Sequence, residues 1–315
     1  MKNQTLISNI QKLFISKYFF GAFIALFLAS GVNNFAHAQA KPEVKYVQVG
    51  DVKLAYYTKG QGEPLLMING FLSTMSLWDP AMLDELAKQN ELILFDNRGV
   101  GFSTDTQENN TTIAQMADDA AGLVKALGYK KVNILAWSMG ARIGQQFLIR
   151  HPELIGKAVL AAANPGGDHQ IPTDKDVESK LNNPNVPEMG KLGLVFTNYA
   201  AGKKAAEEVL GRIKAAVVAG NMPNDFKVSK ETTLRQDRAR TTLWKENKEN
   251  FKDLKNIKVP VLISDGQYDV IDMPKNTLLM ANQIPYSWVA YFDGGHAFLF
   301  QNYKRFADTV NAFLK

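Results

Sequence analysis

Ser138 is the residue best placed to do chemistry, because the apolar run Asn133-Ile134-Leu135-Ala136-Trp137 delivers it into a small-residue turn, Met139-Gly140-Ala141, that opens a helix. A serine at such an elbow takes a strained backbone conformation, and the helix then passes close enough to the strand to require small residues two positions away. Ala136 and Gly140 meet that requirement. The free N–H groups of the first helical turn and the positive end of its dipole face the hydroxyl, where negative charge would develop. Alone, the pattern also fits an ordinary strand–helix turn with a capping serine, so its meaning rests on the partners the chain supplies.

A serine nucleophile needs a base, and the chain has four histidines. His37 lies in an N-terminal stretch with the marks of an export signal. His151 ends the helix that Ser138 starts, about a dozen residues at 1.5 Å per residue away, and so on the far side of the sheet. His169 enters a polar helical stretch. His296, in Asp293-Gly294-Gly295-His296-Ala297, follows the last strand and falls at the same sheet edge as Ser138. A carboxylate must orient that imidazole. The segment Ser264-Asp265-Gly266-Gln267-Tyr268-Asp269-Val270-Ile271-Asp272 offers Asp269 first, on the loop beyond the glycine turn, with Asp272 second and Asp265 as a loop support. The order Ser, Asp, His suits a nucleophile elbow on a parallel sheet. Two backbone donors complete an oxyanion hole: the N–H of Met139, and that of Phe71 in Asn69-Gly70-Phe71 after the first parallel strand.

The elements that must position these groups follow from the hydropathy pattern. Alternating stretches at 44–49 and 52–58 around Gly50-Asp51 predict an antiparallel hairpin. Continuous apolar runs at 64–68, 91–95, 132–136 and 157–162 predict strands buried on both faces of a parallel sheet. Helices are expected at 76–88, 112–127 and 139–150, giving a βαβ succession. Between about 164 and 256 the strand signal gives way to a helix-rich polar stretch, expected to cap the C-terminal strand edge where open α/β sheets bind ligands. Strands resume at 259–264 and 287–292, and a last helix is expected over about 297–314.

The chain has 315 residues, a formal net charge of +5 and no cysteine. Residues 1–38 carry Lys2, Lys12 and Lys17 without an acid, then an apolar run at 18–32 and Ala36-His37-Ala38, the pattern of a cleaved secretory signal. Removing 38 of 315 residues leaves 277 and lowers the charge to +2, with 33 basic and 31 acidic residues, so composition offers no reason to expect nucleic acid. The expectation is an exported protein, periplasmic or secreted, with no stable membrane span after cleavage. Its parts are a signal peptide at 1–38, an α/β core at 39–163 and 257–315, and a helical cap at 164–256. Without cysteine there is no disulfide framework or thiol nucleophile. The scattered histidines supply no metal cluster, and neither metal nor cofactor is expected.

Met67-Ile68-Asn69-Gly70-Phe71, Asp96-Asn97-Arg98-Gly99-Val100-Gly101-Phe102-Ser103, Ala136-Trp137-Ser138-Met139-Gly140, Gly266-Gln267-Tyr268-Asp269 and Gly294-Gly295-His296, in this order, resemble the α/β-hydrolase superfamily over nearly the whole mature chain. The resemblance implies an α/β-hydrolase fold with a mostly parallel sheet, helices on both faces and an inserted cap. It also implies a Ser138-His296-Asp269 triad with the Phe71 and Met139 amides as oxyanion hole, while Asp96 and Arg98 match a structural loop. Asn69 stands where the family usually has histidine, and Ala136 where it usually has glycine. Ser138 excludes the relatives that use aspartate there. The similar enzymes are small-molecule esterases, enol-lactone hydrolases and cofactor-free haloperoxidases or perhydrolases; some proteins of the fold only bind ligands. Trp137, Phe196 and Tyr199, with Trp244, are candidates for an apolar substrate pocket or for packing of the cap.

Overall fold

In the computed structural model, residues 41–106, 111–183, 185–197 and 200–315 are described. The expected signal at 1–38, with His37, and Tyr199 lie outside them. Eight strands form one sheet: β1 (Lys45–Val49), β2 (Val52–Lys59), β3 (Glu63–Ile68), β4 (Asn90–Phe95), β5 (Val132–Trp137), β6 (Ile155–Ala161), β7 (Val261–Gly266) and β8 (Ser287–Phe292). The spatial order is β1-β2-β4-β3-β5-β6-β7-β8. The β1–β2 and β2–β4 pairs are antiparallel and all others parallel. The inner strands read as unbroken apolar runs because both their faces are covered: Leu65–Ile68 and Ile134–Ala136 are fully buried. β8 carries an equally apolar sequence at the sheet edge, and there Trp288, Val289 and Tyr291 are exposed.

Eleven helices are named here: α1 (Pro80–Leu86), α2 (Ile113–Ala126), α3 (Met139–Arg150), α4 (Lys175–Asn182), α5 (Glu188–Phe196), α6 (Ala200–Ala219), α7 (Lys230–Arg238), α8 (Glu249–Asp253), α9 (Lys275–Gln283), α10 (Phe298–Gln301) and α11 (Tyr303–Leu314). Two differ from the sequence expectation. The helix expected from residue 76 starts at Pro80, because proline disfavours helical backbone in the residue before it. Asp79 is accordingly extended, and it caps the helix by accepting the Ala81 N–H at 3.1 Å. The final helix breaks at Asn302, whose φ of −116° and ψ of 35° leave the helical region while its amide bonds the Phe298 carbonyl.

Among the described residues, 164–256 contribute no strand to the sheet. This segment is tied to the rest at several points. Ser76 Oγ donates to the Pro223 carbonyl at 2.8 Å and Gly101 N to the Lys227 carbonyl at 2.8 Å. The Arg212 guanidinium grips Asp79 through two bonds of 2.9 and 2.6 Å. A buried ion pair, Arg98 with Asp119 at 2.6 and 2.8 Å, joins the loop after β4 to α2. Among the described residues no helix is long and apolar enough to cross a membrane.

Candidate active site

β5 lies near the middle of the sheet between β3 and β6, so its C-terminal end projects into the edge where the loops after β3, β6, β7 and β8 converge. The chain turns there within one residue. Ser138 has φ 59° and ψ −126°, in the region where a side chain is strained, and its N–H is held by the Ala161 carbonyl at 2.9 Å. The turn needs Gly140, since a Cβ there would stand 2.2 Å from the Ile68 carbonyl oxygen and 2.6 Å from that of Asn69. α3 therefore begins in contact with the end of β3, which places the Asn69-Gly70-Phe71 loop against the serine. A Cβ on Gly70 would lie 3.1 Å from Ser138 Cβ.

His296 Nε2 lies 2.7 Å from Ser138 Oγ, and His296 Nδ1 lies 2.7 Å from Asp269 Oδ2. The histidine and aspartate are buried, while the serine is partly exposed. Asp269 Oδ1 accepts the N–H groups of Ile271 at 2.7 Å and Asp272 at 3.1 Å, which orients the carboxylate. Burial opposes the charge of Asp269, yet the adjoining histidine and these N–H bonds hold its pKa below the usual carboxylate value. Burial likewise opposes protonation of His296, but Asp269 outweighs it and raises the imidazole above its ordinary 6.5. Asp265 bonds the Gly266 N–H at 2.8 Å and Thr277 at 2.9 Å. Burial and the neighbouring Asp269 push its carboxyl well up, which keeps the loop from holding two adjacent charges.

The structure thus brings Ser138, His296 and Asp269 into one hydrogen-bonded line. Asp272 is engaged elsewhere, accepting two bonds from Arg142 Nη2 at 2.8 and 3.0 Å and one from Asn164 Nδ2 at 2.5 Å. Asn69, which occupies the usual histidine position of the loop, bridges it with two bonds of 2.8 Å, accepting from Gly70 N and donating to the Thr74 carbonyl. Phe71 follows Gly70, which packs on Ser138, and Met139 follows the serine as the first residue of α3. Trp137 is buried beneath the histidine: its Nε1 donates to the His296 carbonyl at 2.9 Å and its ring packs on Trp78 and Phe300. Phe196 is buried at the end of α5, next to Val195, whose carbonyl accepts the Ala297 N–H at 2.9 Å. Trp244 is fully buried and donates to Asn164 at 2.8 Å. His151 bonds Asp118 at 2.7 Å on the far side, and His169 stacks on Phe251.

Three further side chains crowd this edge without having been singled out from sequence: Arg142, Gln236 and Arg240. Arg142 carried a usable signal, since it lies in the first turn of the helix that Ser138 opens. Gln236 and Arg240 carried none, because only the folded helical segment brings them over the Phe71 loop.

An alcohol bonded to a neutral imidazole, which is in turn bonded to a buried carboxylate, can attack an electrophilic carbon while passing its proton to the imidazole. Among the described residues no group of three or more His, Asp or Glu side chains is arranged to hold a metal ion.

A family model described as alpha/beta hydrolase fold matches residues 63–303. A Mycobacterium tuberculosis protein named as a non-heme bromoperoxidase is 38% identical over 112 residues, which is 35% of this chain and 42% of that protein. The chain therefore matches less than half the length of that relative. Among solved structures, an alpha/beta hydrolase fold protein from Chitinophaga pinensis superposes with a TM-score of 0.75 at 24% identity, covering 88% of this chain and 98% of that one. The enol-lactonase from Burkholderia xenovorans LB400 gives a TM-score of 0.67 at 20% identity, covering 86% and 99%. At these identities the two structures speak to the fold alone.

Proposed function

The chain belongs to the α/β-hydrolase fold family, and on that premise we propose that it is a serine hydrolase acting on an ester-like bond, a carboxylic ester or lactone, of a small substrate. The observation that carries this reading is the Ser138–His296–Asp269 line, with 2.7 Å at each junction. His296 takes the Ser138 proton as Oγ attacks the carbonyl carbon, and the Phe71 and Met139 N–H groups receive the oxyanion. His296 then protonates the leaving alkoxide. Water, deprotonated by the same imidazole, attacks the acyl-serine and releases the acid. Buried Asp269 holds the imidazole in the tautomer that presents Nε2 to the serine and stabilises the imidazolium formed in each half-reaction.

The basic start, apolar run and A-x-A site at 1–38 support export to the periplasm or medium. The match to a protein named as a bromoperoxidase supports a second reading with the same triad, in which hydrogen peroxide replaces water and the acyl-serine is released as a peracid.

The test is hydrolysis of p-nitrophenyl esters from acetate to decanoate by the protein and by Ser138→Ala, with a fluorophosphonate label. Turnover that falls by about 10³-fold or more in the variant, with labelling at Ser138, is the expected result. Undiminished hydrolysis by the variant, or failure of the reagent to label Ser138, overturns the reading. Peracid formation exceeding ester hydrolysis when peroxide is added selects the second reading.

A further inference from the structure

The segment that covers the site carries an incomplete hydrogen-bonding surface. Gln236, on α7, is fully buried, and its Oε1 accepts the Leu72 N–H at 3.0 Å. That bond fixes the amide orientation and leaves Gln236 Nε2 as a buried donor with no acceptor among the described residues. Four residues on, where the helix widens into a π-turn at Ala239–Leu243, the Arg240 guanidinium lies over the Phe71 ring at 4.1 Å. Its Nη2 donates to Asp237 at 2.6 Å, while Nε is buried without a partner. Arg142, whose own N–H bonds the Ser138 carbonyl at 3.3 Å, donates Nη1 to the Arg240 carbonyl at 2.6 Å and also has an unpartnered buried Nε.

These groups share one neighbourhood. Gln236 and Arg240 clamp the consecutive residues Leu72 and Phe71, and Gly70 of the same loop packs on Ser138. Buried donors left unpaired cost about 1–3 kcal/mol each, so three of them without an acceptor among the described residues, gathered around the 70–72 loop and the helix that Ser138 opens, make a surface suited to an arriving acceptor. The two cations differ. Arg142 is matched by both oxygens of Asp272, whereas Arg240 has one contact with Asp237, and one fifth of its side-chain surface remains open.

Resting on the serine-hydrolase reading above, we propose that Gln236 and Arg240 form an anion subsite, so that the preferred substrate is a small ester or lactone bearing a carboxylate. Burial, reinforced by the neighbouring Arg142, lowers the pKa of Arg240 against the pull of Asp237. Its charge is thus under-compensated, and an arriving carboxylate would restore the balance through charge-assisted bonds. The guanidinium stays stacked on Phe71 while it binds, linking substrate recognition to the residue assigned to the oxyanion hole.

Two matched ester pairs, one for each side of the scissile bond, test this: p-nitrophenyl hemiadipate against p-nitrophenyl methyl adipate, and 4-acetoxybenzoate against its methyl ester. The quantity read is the ratio of kcat/KM between anionic and neutral ester within each protein, so partial misfolding of a variant cancels. At least one pair should favour the anion by roughly tenfold, the scale of one charge-assisted bond. Arg240→Met should abolish that preference, chiefly through KM, and Arg240→Lys should restore part of it. Adipate should also slow fluorophosphonate labelling of Ser138 in the wild type and not in Arg240→Met. No anionic preference in either pair while the neutral esters turn over, or a preference that survives in Arg240→Met, overturns the subsite and leaves the hydrolase reading intact. If no ester turns over, labelling without adipate protection overturns the subsite alone, and absence of labelling overturns both.

Discussion

Replacing Asp225 with asparagine is expected to stabilise the protein at neutral and alkaline pH while leaving its stability near pH 4 unchanged. Asp225 is fully buried in the strap that precedes α7, and it faces Asp96 of the loop after β4. The two carboxyls are unequally served. Asp96 accepts the backbone N–H groups of Met75 and Phe102, both at 2.8 Å, whereas the Thr74 and Ser76 hydroxyls that ease the Asp225 charge stand short of full hydrogen-bonding geometry among the described residues. A proton held between the two carboxyls would supply the bond that two carboxylates cannot make to each other. Burial drives Asp225 up to about 6, and burial together with the Asp225 charge drives Asp96 up as well.

Because the folded pKa of Asp225 lies above its unfolded value, the stability that its proton contributes is whole below about pH 4 and is lost as pH rises to about 6. From 3.8 to about 6, at about 1.4 kcal/mol per unit, the loss comes to about 3 kcal/mol. For a domain of this size that corresponds to roughly 6–12 °C in Tm. An asparagine amide can donate to Asp96 at every pH, and it removes the Asp225 titration together with the repulsion that Asp225 exerts on Asp96, while the upward push that burial gives Asp96 remains. Thermal unfolding of both proteins followed by circular dichroism from pH 3.5 to 9 should show their Tm values converging at the acid end, separating between about pH 4 and 6 and staying a constant distance apart above that. A constant offset across the range, or an asparagine variant that is uniformly less stable, would refute the shared proton.

Two other perturbations probe the site directly. Asp269 raises His296 above its ordinary 6.5, and the mechanism needs the neutral imidazole, so kcat/KM should fall as pH drops through a limb above 6.5. Asp269→Asn should lower kcat on the order of 10³–10⁴-fold and move that limb to lower pH; a pH–rate profile with an unmoved limb would sink the assignment. Gly140→Ala drives a Cβ to 2.2 Å from the Ile68 carbonyl oxygen and 2.6 Å from that of Asn69. It should push α3 off the oxyanion loop and cost about 10²–10³-fold in kcat, the worth of one oxyanion donor, with retained folding checked by circular dichroism. A kcat within threefold of wild type would show that the loop adapts.

What the sequence disclosed and what it withheld divide along a physical line. The elbow at Ser138 was legible because its constraints are local: a turn in the φ 59° conformation, with α3 pressed on β3, demands small residues at fixed offsets. The inner strands were legible because burial on both faces removes alternation. His296 followed by elimination and sheet topology. Asp269 and Asp272, by contrast, occupy one loop three residues apart, and nothing local ranks them decisively. The ranking comes from Arg142, 130 residues away in sequence, which engages both oxygens of Asp272 and leaves Asp269 to the histidine.

The same reasoning explains why the covering segment was opaque. Its helices have to cover the sheet edge and keep their outer faces in water, and many polar sequences satisfy that. Gln236 and Arg240 carry no local signal, and they reach the loop at Leu72 and Phe71 only after some 160 residues of intervening chain have folded. Groups set by local backbone geometry, such as Ser138, can remain fixed while the helical segment above them changes its side chains, because the contacts from Gln236 and Arg240 to the 70–72 loop involve a backbone N–H and an aromatic face rather than Ser138, His296 or Asp269. Substrate choice is therefore expected to reside in α7 and its π-turn. Exchange of Gln236 and Arg240 should change which ester is preferred before it changes whether Ser138 reacts.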